Sequence, residues 1–123
     1  MATSILPMCE LQSEINVPVT ITDTPDVTGV REYFRYSKYG KLVIVDFGGI
    51  YVGSTTNIMV YSNLPIMRTR FVVELFEDKI QQSTDTTLRS TGFAYTQSIG
   101  SNRFVLKCPA NAPMYGQAVY LTD

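Results

Sequence analysis

The sequence predicts an all-β protein, an antiparallel β-sandwich of jelly-roll type with about eight strands. Three observations carry that expectation. Short runs rich in valine, isoleucine, tyrosine and phenylalanine recur along the chain, and such residues suit a pleated, half-buried surface. Clusters of glycine, proline and asparagine punctuate these runs at short, regular spacing. No long helical pattern offsets the string of strands.

Taken in order, residues 1 to 24 form an N-terminal arm or edge strand, and residues 25 to 123 form a single β-sandwich domain. Positions 1 to 14 show no clear period. Ile15 to Thr22 alternates apolar and polar residues except at Pro18, which lacks an amide hydrogen and so suits a border strand. Asp23-Thr24-Pro25-Asp26-Val27-Thr28-Gly29 is a turn cluster. Val30 to Phe47 then reads as a β-hairpin, two β-forming runs joined through Lys38-Tyr39-Gly40-Lys41, with Gly40 supplying the positive φ of a tight connection. Gly48-Gly49 is expected to break the ladder before Ile50-Tyr51-Val52 resumes. Asn57 to Tyr61 and Arg70 to Phe76 are further strands, and Glu77-Asp78-Lys79 is placed as the start of a short helix. Ile80 to Thr87 is polar and reads as a surface loop. Leu88 to Thr96 and Arg103 to Lys107 flank a turn at Gly100-Ser101-Asn102, and Ala118 to Leu121 closes the chain as a strand.

Composition narrows the function. Charged residues are 17% of the 123, well below the usual quarter, a bias that suits a chain hiding part of its surface in a complex. The net charge is −1 and the basic residues are scattered, so there is no electrostatic footprint for nucleic acid. Met1 to Pro7 lacks the charged and apolar regions of a signal peptide, and the longest apolar runs fall far short of a membrane span, so folding in a cytoplasm is expected. Cys9 and Cys108 either meet, if the termini lie side by side, or act as two small buried hydrophobes.

The chain has no histidine, which removes the default general base, the Ser-His and Cys-His nucleophile pairs and the commonest zinc ligand. There is no CxxC pair, calcium loop or phosphate-binding loop, and no cofactor or metal is implied. Glu74, Glu77 and Asp78 form the densest acidic cluster, which reads as a strand end opening into a solvated loop. Asp46 lies in register with Leu42 and Ile44, and a structural ion pair with Arg31 or Arg35 across the hairpin is expected. Eight tyrosines offer apolar faces and hydroxyl edges of the kind that hold sugar rings. The candidate ligand contacts at strand ends and loops are Tyr51, Tyr61, Asn63, Tyr95, Asn102, Arg103 and Tyr115.

The ordered set Tyr39-Gly40-Lys41-Leu42-Val43-Ile44-Val45, Thr56-Asn57-Ile58-Met59-Val60, Asn63-Leu64-Pro65 and Ala118-Val119-Tyr120-Leu121-Thr122 resembles the C-terminal head domain of bacteriophage receptor-binding proteins and tail fibres. The resemblance covers most of Val30 to Asp123. It implies a compact antiparallel β-sandwich, a homotrimer in the virion, at a tail or baseplate, and host attachment through a cell-surface saccharide. It transfers no binding residue. Two alternatives stand beside it: a purely structural virion component, such as a decoration, connector or baseplate subunit that binds only other virion proteins, and a small polysaccharide-cleaving domain using two carboxylates.

Overall fold

A computed structural model describes residues 13–54, 57–78 and 88–123. Among these residues there are nine strands and no helix: β1 (Ser13–Pro18), β2 (Ile21–Thr22), β3 (Val27–Tyr39), β4 (Leu42–Val52), β5 (Ile58–Ser62), β6 (Val72–Asp78), β7 (Leu88–Thr96), β8 (Phe104–Lys107) and β9 (Met114–Leu121). All neighbours pair antiparallel, in the order β1-β3-β4-β9-β6-β7-β8-β5-β2. The all-β antiparallel class expected from the sequence is therefore the one observed.

Alternation along the strands explains why this sheet curls. Val43, Val45 and Phe47 of β4, Phe34 and Tyr36 of β3, Ala118 and Tyr120 of β9, Ile58 and Val60 of β5, and Phe104 and Leu106 of β8 are all buried, each set spaced by two residues. Each of these five strands thus offers one apolar face, and a sheet folded back on itself covers them all. The halves meet through a chain of rings. Phe34 stacks on Phe47 at 5.2 Å between centroids, both meet the edge of Phe104 at about 6 Å, and Phe71 bridges Phe104 to Tyr120. Burying each such ring contributes about 1.5–3 kcal/mol. Phe104 lies on β8, four places from β4 in the strand order, so this contact crosses the core rather than following the sheet.

The two edges of the sheet belong to one short segment. β1 pairs with β3 at one edge and β2 pairs with β5 at the other, yet only Val19 and Thr20 separate them. The Val19 amide donates to the Phe34 carbonyl at 2.8 Å, and the Asn63 amide donates to the Thr20 carbonyl at 3.2 Å. Adjacent residues thereby bond opposite ends of a nine-stranded sheet. Asn63 tightens the junction: its Oδ1 accepts from the Thr20 amide at 2.8 Å and its Nδ2 donates to the Pro18 carbonyl at 3.3 Å. Residues 13–22 act as a strap that closes the curl.

Several local expectations change. Ile15 to Thr22 is not one border strand but two strands on opposite borders, with Asn16 at φ 52° in a β-bulge of β1. Pro18 sits on the edge strand, where its missing donor costs no ladder bond. Gly48-Gly49 does not end the ladder; β4 continues to Val52 through an irregularity on both of its sides. Glu77 and Asp78 extend β6 rather than starting a helix, because Asp78 pairs with Leu88 and Glu77 with both Arg89 and Met114. Gly40 carries the expected positive φ, at 60°, and Gly100 in the expected turn has φ 87°. The loop reading for Ile80 to Thr87 lies outside the described residues, as does Cys9. Cys108 is free and buried, and burial pushes its thiol pKa up to about 11.

Two outcomes test this arrangement. Asn63→Ala removes one acceptor and one donor from the strap, and should cost about 1–2 kcal/mol, with faster hydrogen exchange confined to residues 13–22 and their ladder partners. Uniform acceleration across the sheet would count against a local clasp. Cys108 must stay protonated in the folded chain while the unfolded chain releases its proton near 9.0. Its contribution is therefore complete below that pH and fades as pH rises toward 11. The urea midpoint should fall across this window, and Cys108→Ala should flatten the fall. The buried Tyr120 hydroxyl, also raised by burial and donating to the Pro65 carbonyl at 2.7 Å, adds to the fall from its ordinary value of 10.0 upward.

Candidate binding surface

The seven candidate residues fall into three places. Tyr61, Asn63, Asn102 and Arg103 converge where β5 ends and β8 begins. Asn63 holds the strap, while Asn102 Nδ2 donates to the Ser62 carbonyl at 2.8 Å and Ser62 Oγ donates to the Asn102 carbonyl at 3.3 Å. Both amides are therefore engaged by backbone. The Arg103 guanidinium lies 5.7 Å from the centre of the exposed Tyr61 ring, and this pair is what the corner presents. Tyr95 sits apart, half-buried near the end of β7 between Val72 and Val105.

Tyr51 and Tyr115 lie on the outer face of β3, β4 and β9, where the register assembles a larger constellation. Arg35, Asp46 and Gln117 form one cross-strand row, and Tyr33, Gly48 and Tyr115 form the next. Asp46 takes Gln117 Nε2 on Oδ1 at 2.7 Å and faces Arg35 Nε with Oδ2 at 3.7 Å. The expected Asp46–Arg35 pair is thus present, on a half-exposed face rather than in the core. Arg35 also lies 4.0 Å above the Tyr33 ring. The Tyr115 hydroxyl donates to Glu32 Oε1 at 3.2 Å.

Glycine makes room for these rings. A Cβ on Gly48 would come within 2.5 Å of both the Tyr33 ring and the Tyr33 carbonyl oxygen, so only a bare backbone lets that ring approach. Gly49 adopts φ 98°, a left-handed conformation that suits glycine, and a Cβ there would meet Arg31 and the Tyr115 hydroxyl. Gly29 likewise lies under the Tyr51 ring. Tyr33 was absent from the sequence-based candidates because its hairpin position reads as ordinary strand packing. The signal available was the pairing of a tyrosine with a glycine across an antiparallel ladder.

The acidic cluster does not converge. Glu77 is buried and opposite Met114, whereas Glu74 is exposed and opposite Phe93, so the two carboxylates lie on different faces of β6. Among the described residues no group of three or more metal-ligating side chains comes together, and no enclosed pocket is formed. The outward surface on β6, β7, β8 and β5 carries an exposed apolar row: Val72 is 77% exposed and heads a row through Tyr95 and Val105 to Met59, with Phe76 alongside and Phe93 between the exposed Glu74 and Lys107.

The molecule is thus an antiparallel β-protein that offers open sheet faces, one tyrosine-rich and polar, one with an exposed apolar row. Comparison with known proteins adds no family to this description: no family model, no curated protein and no solved structure matches the chain.

Gly48→Ala tests the ring platform. The added methyl group meets backbone as well as ring, so the variant should lose on the order of 1–3 kcal/mol and shift the Tyr33 ring resonances in an NMR spectrum. An unchanged spectrum with full stability would contradict the close approach.

Proposed function

We propose that this chain is a non-enzymatic virion protein of a bacteriophage tail or baseplate that attaches to a host cell-surface saccharide as a homotrimer. The observation that carries the reading is the outer face of β3, β4 and β9. There Tyr33, Tyr51 and Tyr115 lie over glycine-containing backbone, beside the planar polar groups of Arg35, Asp46, Gln117 and Glu32. An aromatic face covers the C–H side of a sugar ring while fixed donors and acceptors meet its hydroxyls. The ordered motifs from Tyr39 to Thr122 that resemble phage head domains support the same reading.

Trimer formation draws support from the other half of the sheet. The row from Val72 to Met59 leaves large apolar side chains in water, and interface cores are depleted in charge in just this way. That row also favours a second reading, a structural virion subunit using the apolar face to dock on other virion proteins.

Light scattering and a microbial polysaccharide array separate these readings. The attachment reading predicts a concentration-independent trimer and binding to at least one bacterial polysaccharide. Tyr33→Ala, Tyr51→Ala and Tyr115→Ala should each weaken that binding by about tenfold, the loss of one stacked ring. A stable monomer that binds no glycan would reject it, and a glycan-silent protein that assembles on particles would favour the structural subunit.

A further inference from the structure

Resting on the saccharide reading, we infer that the β3-β4-β9 face recognises an acidic saccharide, one bearing a carboxylate or phosphate oxyanion, through Arg35 and Arg31. The argument is an accounting of donors. Glu32 already accepts the Tyr115 hydroxyl, and Asp46 already accepts the Gln117 amide. Both local carboxylates therefore have a neutral donor in place. The guanidinium groups are less fully met: Arg35 has its long ion pair to Asp46 but no hydrogen bond from Nε. Arg35 Nε is buried, stands 3.7 Å from Asp46 Oδ2, and has no hydrogen-bond partner among the described residues. Arg31, exposed on the same strand with its Cβ over Gly49, has neither an ion pair nor a hydrogen bond among them.

A buried guanidinium nitrogen left without a hydrogen bond is costly, and such a group calls for a further partner, an ordered water or a bound ion among them. The position of Arg35 over Tyr33 also matters, because the ring lies against one face of the guanidinium and, with Nε buried, the 36% exposed side chain meets a ligand by the edge away from Nε. An oxyanion with two oxygens in one plane is the acceptor that such an edge holds best. The site calls for a local charged contact on an otherwise neutral platform. That is consistent with a net charge of −1, since no extended basic track is required.

Carboxylate and phosphate share this chemistry, and chemical treatment of the ligand separates them. Bacterial polysaccharides are presented in three forms: native, carboxyl-reduced, and dephosphorylated with aqueous hydrofluoric acid. Binding should be confined to native acidic polymers. It should fall at least about tenfold on carboxyl reduction if the group is a carboxylate, or on dephosphorylation if it is a phosphate. Arg35→Gln should abolish binding and Arg31→Gln should weaken it, with circular dichroism confirming the fold. Should Arg35→Gln fail to fold, the exposed Arg31→Gln variant and the treated polymers still decide the matter. Equal binding to native and doubly treated polymer would overturn the acidic-ligand inference and leave the saccharide reading intact. Absence of binding to every native polymer would overturn both.

Discussion

Closure of the sheet by residues 13–22 is the constraint on which the rest of the structure depends. An open nine-stranded sheet would expose two rows of unpaired backbone groups, and such edges template aggregation. Here the same ten residues cap both. β1 covers the outer edge of β3, β2 covers β5, and the step between them is bridged by Asn63. Curling follows from this, because bonds from adjacent residues to opposite edges can form only if the sheet turns back on itself. The aromatic chain from Phe34 through Phe104 to Tyr120 then fills the enclosed space.

Once the core faces are turned inward, function is left to the outward ones. The hairpin of β3 and β4 fixes Tyr33 over Gly48 and Arg35 opposite Asp46 by register alone, and β9 adds Tyr115 and Gln117 in the same two rows. A slip of one residue would send these side chains into the core and Phe34 and Phe47 to solvent. The packing that stabilises the protein is therefore the packing that aligns the polar rows. The opposite half of the sheet carries instead the apolar row of Val72, Tyr95, Val105 and Met59, next to a row in which Phe93 lies between Glu74 and Lys107.

Much of the fold was legible because strand signals are local. Alternation and Gly40 located the hairpin, and Leu88 to Thr96 matches β7. What remained hidden depends on contacts distant in sequence. Nothing in Ile15 to Thr22 tells that its two ends serve different edges, since Pro18 marks an edge without saying which. Glu77 looked like a strand end because its burial is set by Met114, 37 positions away. On the candidate site, Tyr51 and Tyr115 were found by their loop-proximal positions, but Tyr33 was not, since its ring is placed by a glycine on the neighbouring strand. Asn63 and Asn102 were selected for their amides, and those amides also hold the chain itself together.

The central claim is that one strap closes both edges of its own sheet. NMR on a mixture of isotopically labelled and unlabelled chains tests it directly, through cross-strand contacts between Glu14 and Lys38 and between Ile21 and Ser62. Both contacts, observed within a single labelled chain, are the result this account requires. Finding either one absent, or only between different chains, would contradict it.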